Sequence, residues 1–433
     1  MIKGRVDIIS MGCSKNLIDS ERIIRRLEAK GYGVCHNPDT PCGEYVMVNT
    51  CGFIGDAKEE SINLLLELSQ LKEEGEIGKI AAMGCLTERY LQDLKAEMPE
   101  IDMIYGKFDW NRFVEDLPTR KENIAPREWE RTLTTPPHSA YVKISEGCNR
   151  FCAFCAIPLI TGRHKSRPEE EILEEVRYLV KKGVKEFNII AQDLSSYGLD
   201  LYGEHRLASL IDRMADIEGV EWIRLHYAYP ADFPMEILDV MARRPNICNY
   251  LDIALQHISD NMLTRMRRHI DKKGTLRLID EIRKRVPGIA LRTTLMVGFP
   301  GETEEDFEEL MDFVRTQRFD RMGAFAYSAE DDTYADDNYE DDVPQEVKQE
   351  RLDRLMALQQ EISEQLNEGK VGEKVRLIVD EYEGDQAICR SEWDSPEVDL
   401  SYRVKDCSAS PGEFIVAKVT EAYPFDFMAE QIK

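Results

Sequence analysis

Basic residues are scarce in this 433-residue chain: 56 Lys and Arg stand against 82 Asp and Glu, a formal net charge of −26. A protein that grips nucleic acid through its phosphates needs a basic surface, so the balance argues against direct nucleic-acid binding. The same balance suits a basic partner. Also missing is any apolar run of about 18 residues, so no membrane span is expected. The opening stretch MIKGRVDIISMGC has no basic region followed by an apolar run and a small-residue cleavage site. No secretory signal is therefore expected, and the compartment is read as cytoplasmic and reducing. There, 11 cysteines point to metal or redox chemistry rather than to disulfides. The 42% hydrophobic and 8% aromatic residues suffice for packed cores. At roughly 150 residues per domain, the length suggests about three domains.

Residues 1–120 alternate short apolar runs with helical patterns. Val6–Ser10, Tyr45–Asn49 and Lys79–Met83 read as buried strands; Asp19–Lys30, Asp56–Leu71 and a shorter segment near Thr87 read as helices. This alternation predicts an N-terminal parallel α/β sheet domain. A polar stretch from Pro118 to Pro137 reads as a linker, assigned to 121–137. From 138 to 366 the alternation restarts, with strands at Tyr141–Ser145, Lys185–Ala191, Trp222–Tyr227, Leu251–Ala254, Ala290–Val297 and Met322–Ala326. Six strand–helix units predict a partial TIM-like (β/α) barrel. Residues 330–350 carry ten acids against one base, Lys348, and read as a solvated loop. A helix from Pro344 to Asn367 follows. From 367 to 433, short strands at Val375–Val379, Gln386–Cys389, Ser401–Val404 and Phe414–Val419 predict a small antiparallel β-barrel.

The sharpest signal is the run from Ser145 to Cys155, in which Cys148, Cys152 and Cys155 follow the first barrel strand at spacing x3 then x2. Three thiolates on one such loop can hold three irons of a cubane cluster and leave the fourth open. A structural zinc site would need four ligands, and only His164 lies near enough to be the fourth. The second constellation is dispersed. Cys13, Cys51 and Cys85 each follow a predicted strand, with Gly12, Gly52 and Gly84 beside them. Ligands of open parallel sheets bind outside the carboxyl ends of the strands, so three cysteines at three such ends would converge on one site, read as a second metal cluster. Three separate core cysteines are the alternative.

The Cys148/Cys152/Cys155 spacing, with Phe154 before the last cysteine, resembles the radical S-adenosylmethionine (SAM) superfamily. Two three-cysteine constellations with a barrel-like tail resemble the methylthiotransferase family over nearly the whole chain, the tail being its TRAM-type barrel. Within that family, Gly12-Cys13-Ser14-Lys15-Asn16-Leu17, residues 192–198 (QDLSSYG), 225–230 (LHYAYP) and 250–257 (YLDIALQH) are similar to the branch that modifies a ribosomal protein. Ser14-Lys15-Asn16 and Asp193 side with that branch against the one that modifies transfer RNA.

The resemblance implies two 4Fe–4S clusters and SAM. It implies methylthiolation of an aspartate β-carbon in small-subunit ribosomal protein twelve, with an unidentified electron donor and sulfur source. One SAM would methylate sulfur held at the Cys13/Cys51/Cys85 cluster. A second would give the 5′-deoxyadenosyl radical that takes hydrogen from the aspartate. The tail would be the substrate-binding barrel, and its 15 acids against 8 bases favour a basic protein over RNA. By the same resemblance, the Phe154 backbone and the stretch at Gly298 are candidate cofactor contacts; Gln192, Asp193, Gln256, Arg292 and Thr293, read as ending strands on the same face, are candidates to touch cofactor or substrate. Lys15, Arg163, His164 and His257 receive no role. Cys35, Cys42, Cys248, Cys389 and Cys407 read as ordinary, the first two in a loop-like stretch. The competing functions are transfer-RNA methylthiolation and, from a different class, an iron–sulfur electron carrier.

Overall fold

A computed structural model describes residues 1–121 and 124–432. Its contacts divide the chain into two compact units. The first comprises Met1–Thr135 with Glu146–Asn149 and Ala156–Arg163; the second comprises Pro136–Ser145, Arg150–Cys155 and His164–Lys433.

The first unit is built on a five-stranded, all-parallel sheet of Ile2–Ser10, Gly33–His36, Gly43–Thr50, Lys79–Gly84 and Met103–Ile104. In space the order is second, first, third, fourth, fifth. Side chains of a strand alternate between faces, and the central strands are apolar on both. Met47, Ala81 and Met83 pack under Ile23, Ile24 and Leu27 of helix Ser14–Ala29. Val46, Val48, Ile80 and Ala82 pack under Leu65 and Leu68 of helix Gly55–Glu73. The strand order reverses beside the first strand, which creates a crevice at the carboxyl ends of the first and third.

The two outer strands were not expected. Gly33–His36 and Met103–Ile104 are short edge strands without an apolar run, so Cys35 lies in a strand rather than a loop. Helix Ser14–Ala29 begins directly after Cys13, five residues before its expected start. Its first turns bury polar Asn16 and Asp19, which interrupt the apolar stripe. The polar stretch expected as a linker is partly packed: buried Arg131 pairs with Glu21, and the Thr134 amide donates to Glu21 at 2.7 Å. Glu122 and Asn123 of that stretch lie outside the described residues.

In the second unit, six parallel strands stand side by side in chain order: Ser139–Lys143, Glu186–Ile190, Trp222–Ala228, Ile247–Gln256, Ala290–Val297 and Arg321–Ala326. Helices between them make the expected partial (β/α) barrel. A closed five-stranded barrel follows: Lys374–Glu383, Gln386–Ser391, Ser401–Lys405, Phe414–Ala422 and Asp426–Gln431. The fifth strand was not expected, and it pairs with the third in parallel, so the barrel is not wholly antiparallel. The neighbour order, first-second-third-fifth-fourth, is that of a five-stranded Greek-key barrel.

Strand polarity places this small barrel relative to the cysteine loop. Its ion pairs and hydrogen bonds reach the beginnings of the large-barrel strands: Arg390 to Glu186, Asp394 to Arg321, Asp399 to Tyr250. The loop bearing Cys152 and Cys155 follows the far end of the first strand. The two therefore occupy opposite ends of the large barrel.

The acidic run is not a plain solvated loop. Thr333 caps helix Tyr334–Asn338, and fully buried Ala335 donates its amide to the Ala153 carbonyl at 2.8 Å. Asp342 accepts from the Gly301 amide at 2.7 Å, and Asp341 holds Lys348. Small and aromatic residues between the acids supply the packing. Helix Gln345–Glu368 buries Leu355 and Ile362.

Candidate metal centres

In the first unit, the strand ends at Ser10, Thr50 and Gly84 deliver Cys13, Cys51 and Cys85 to the crevice. Asn16 ties the three turns together. Its Nδ2 donates to the Met11 carbonyl at 3.2 Å and the Thr50 carbonyl at 3.1 Å, while its Oδ1 lies 3.5 Å from the Cys85 thiol. A Cβ built on Gly12 (φ +81°) would stand 2.8 Å from the Cys51 sulfur, so the first and second turns are in direct contact. Gly84 (φ +113°) leaves no room for a Cβ against the Thr50 carbonyl, at 2.4 Å. Gly12→Ala is expected to cost about 1–3 kcal/mol of backbone strain and to displace the Cys51 thiol. A lower urea midpoint and a reduced iron-to-protein ratio after reconstitution would show it.

The three thiols feel one another's charge. Burial pushes the Cys85 thiol up to about 11; Lys107 opposes that, while Cys13 and Cys51 add to it. Burial raises Cys51 as well, with Cys13 again contributing. For Cys13, desolvation is outweighed by the Lys15 charge, the Asn16 amide and Lys107, and its thiol falls below the ordinary value. Lys107 is a buried cation 3.1 Å from Asp19 and 3.3 Å from Asn16 Oδ1. Burial works against its charge, but Asp19, Glu146, Cys85 and Cys13 hold it ionised. A positive group at this depth suits thiolates carrying an anionic cluster. Lys107 has no sequence signal: it is a lone lysine after a two-residue strand.

The segment following the contiguous cysteine loop also belongs to this unit. Helix Ile157–Thr161 packs on helix Cys85–Arg89, with Cys85, Ala156 and Ile160 in one apolar cluster. The Cys148 amide donates to the Gly162 carbonyl at 3.2 Å.

In the second unit, the loop is fixed by main-chain bonds from Ala153 to Met266 (2.9 Å) and from Cys155 to Cys152 (3.0 Å). Arg150 clamps it: Nε lies 2.7 Å from Asp193, Nη1 3.1 Å from Asp232, and the guanidinium 4.4 Å over the Tyr229 ring. Phe154 meets Phe299 edge-on. Gln192 follows strand Glu186–Ile190, Gln256 ends its strand with φ +71°, and Gly298 (φ +71°) donates its amide to Glu302 at 2.7 Å. These three stand at the same strand ends as the loop.

The other expected cofactor contacts have internal partners. Asp193 accepts from Arg150, the Ser195 amide and Ser196. Thr293 donates to the Ile253 carbonyl, and Arg292 pairs with Asp252 (3.4 Å) and Asp399 (3.5 Å), toward the small barrel. His164 pairs with Ser166 at 3.2 Å, and His257 with Glu302 at 3.1 Å. Cys248 and Cys389 are core residues.

Among the described residues, no three His, Cys, Asp or Glu side chains are grouped to share one metal ion. A cubane cluster asks for something else, one thiolate per iron. Three cysteines on one loop and three on adjoining turns are the residues that could provide such a donor set.

Comparison with known proteins matches three successive segments of the chain. Residues 5–106 match the Uncharacterized protein family UPF0004, residues 142–314 the Radical SAM superfamily, and residues 371–432 the TRAM domain. Curated relatives named ribosomal protein uS12 methylthiotransferase RimO include one from Bacteroides fragilis, 59% identical over 434 residues and 100% of both chains. Another, from Porphyromonas gingivalis, is 58% identical over 432 residues and 99% of both. A third, from Christiangramia forsetii, is 46% identical over 99% of this chain and 95% of its own. Among solved structures, the radical S-adenosylmethionine methyltransferase TsrM from Kitasatospora setae has a TM-score of 0.56 at 15% identity over 77% of each chain, a likeness of fold. With 46–59% identity along nearly its whole length to proteins of that name, and with all three segments in order, the chain belongs to the RimO family of radical SAM methylthiotransferases.

Proposed function

We propose that the protein methylthiolates the β-carbon of an aspartate in ribosomal protein uS12, using two 4Fe–4S clusters, one on Cys148, Cys152 and Cys155 and one on Cys13, Cys51 and Cys85. SAM and one such cluster come with the radical SAM family. The observation that carries the second cluster is the convergence of three cysteine turns on Asn16 beside buried Lys107. When bound, these groups supply a radical able to open an unactivated C–H bond, and the sulfur and methyl group that replace the hydrogen.

The chain's own part is to hold and orient. Arg150, Asp193 and Asp232 brace the cysteine loop. Gln192, Gln256, Gly298 and the Phe154 backbone form the surface offered to SAM. Asn16 keeps the second set of cysteines in register, and Lys107 balances their charge.

Residues 1–120, 138–366 and 367–433 are taken as the three domains, with 121–137 between the first two. The acidic small barrel sits at the end of the large barrel away from the cysteine loop, so its charge acts by steering a basic substrate rather than by touching the reacting carbon. The cytoplasm, where ribosomal proteins are found, is the proposed compartment. Among the described residues no helix is long and apolar enough to cross a membrane.

The test is anaerobic. The reconstituted protein receives reductant, SAM and sulfide, with purified uS12 and transfer RNA offered in parallel, and products are read by mass spectrometry. One methylthio group on an aspartate of uS12 is the expected product. A modified adenosine instead would transfer the assignment to the RNA-modifying branch. Added salt should weaken uS12 binding, since steering by exposed charge is screened.

A further inference from the structure

We infer that Arg268 is a positioning residue that raises the reduction potential of the Cys148/Cys152/Cys155 cluster through a charge-assisted N–H···S hydrogen bond to Cys152. The inference rests on the reading that Cys152 is a cluster ligand.

Arg268 follows helix Asp260–Arg265 and is 2% exposed, whereas its neighbour Arg267 is half-buried and His269 is exposed. Those neighbours hold left-handed φ values of +57° and +56°. Non-glycine residues adopt such values at a cost, and a pair of them flanking one inward side chain marks a backbone shaped to present it. The Arg268 Nη1 lies 3.0 Å from the Cys152 sulfur, and Nη2 donates to the Ala254 carbonyl. The guanidinium lies 4.2 Å over the Tyr229 ring. Tyr229 closes the arrangement by donating its hydroxyl to the Arg268 carbonyl at 2.8 Å, with the same oxygen 3.6 Å from the Cys152 sulfur.

A buried charge needs a counter-charge. Among the described residues no carboxylate forms an ion pair with Arg268; its guanidinium touches the Cys152 sulfur, the Ala254 carbonyl and the Tyr229 ring. Its buried Nε also finds no protein acceptor among them. The natural partner is therefore the thiolate set and the cluster on it. A fixed positive charge and a donor on a ligand sulfur favour the cluster state with one more electron. Net charge and hydrogen bonds to sulfur are among the factors that set such potentials. The electron is supplied by an external one-electron donor, dithionite or titanium(III) citrate in the test below.

The experiment is an EPR-monitored redox titration of the full chain with Cys13, Cys51 and Cys85 replaced by alanine, so that one cluster signal remains, repeated in the otherwise unsubstituted chain. In Arg268→Gln the reduced fraction at a fixed potential should fall about tenfold, a shift of about 59 mV for one electron. SAM cleavage should slow with dithionite and recover with titanium(III) citrate. Arg268→Lys keeps the charge but not the two-armed geometry, and should fall between. An unchanged midpoint in Arg268→Gln, or in Arg268→Lys should the glutamine variant fail to hold iron, overturns the inference. An intact cluster in Cys152→Ala would instead overturn the ligand reading.

Discussion

Cys51→Ala is expected to abolish methylthio transfer to uS12 while reductive cleavage of SAM continues, whereas Cys152→Ala should abolish both. The two cysteines have different surroundings: Cys51 lies against Gly12 and follows Thr50, whose carbonyl Asn16 holds, while Cys152 lies against Arg268 and Tyr229. Losing a partner that merely supports a ligand costs roughly 10- to 100-fold, and losing the ligand itself should exceed that. Parallel assays of 5′-deoxyadenosine and methylthiolated uS12 separate the two steps. Methylthio product from the Cys51 variant would refute its assignment as a ligand. Loss of cleavage in that variant would show that the two sets do not work independently.

Arg390→Met is expected to destabilise the protein by about 3–5 kcal/mol, the usual cost of stranding one partner of a buried ion pair. Arg390 grips fully buried Glu186 with two bonds of 2.8 and 2.7 Å and holds Asp380 at 2.7 Å, while Arg224 reaches Glu186 at 3.1 Å. Burial raises the Glu186 carboxyl, but the Arg390 and Arg224 charges outweigh it and hold the group well below the usual carboxylate range. Asp380 is lowered by the same arginine, against its own desolvation. A carboxylate depressed in the folded state contributes stability that is complete above its unfolded value, 4.5 for Glu186. That contribution drains away as pH falls toward the folded value. The urea midpoint of the unsubstituted protein should therefore drop steeply below about pH 5. In Arg390→Met it should start lower at pH 7 and fall less steeply, because less of the depression remains to be lost. Equal acid slopes in the two proteins would show that this network does not govern acid stability.

The cluster of carboxylates and arginines also explains why the small barrel is a fixed part of the second unit. Glu186 begins one large-barrel strand, and Arg390 lies 204 positions further on. Nothing in either local sequence announces the other. The acidic run at 330–350 misled for a related reason. Its charge count describes solvent exposure on average, but Thr333, Ala335 and Tyr339 are the residues that bind it to the cysteine loop and Phe299.

By itself the sequence was sufficient for features set by short chain distances. The x3–x2 cysteine spacing, the strand–helix alternation and the position of a cysteine just past a strand are local, because chain reach and side-chain period dictate them. From these came the partial barrel, the parallel N-terminal sheet and both cysteine sets. Edge strands such as Gly33–His36 and the fifth small-barrel strand escaped, since pairing with a neighbour rather than an apolar run makes them strands. Tertiary structure alone decided which polar groups surround the thiols. Asn16 reaches Cys85 across 69 positions, Lys107 reaches Asp19 across 88, and Arg268 reaches Cys152 across 116. Burial turns such distant meetings into strong interactions, because a charge removed from water must find its partner wherever the fold brings one.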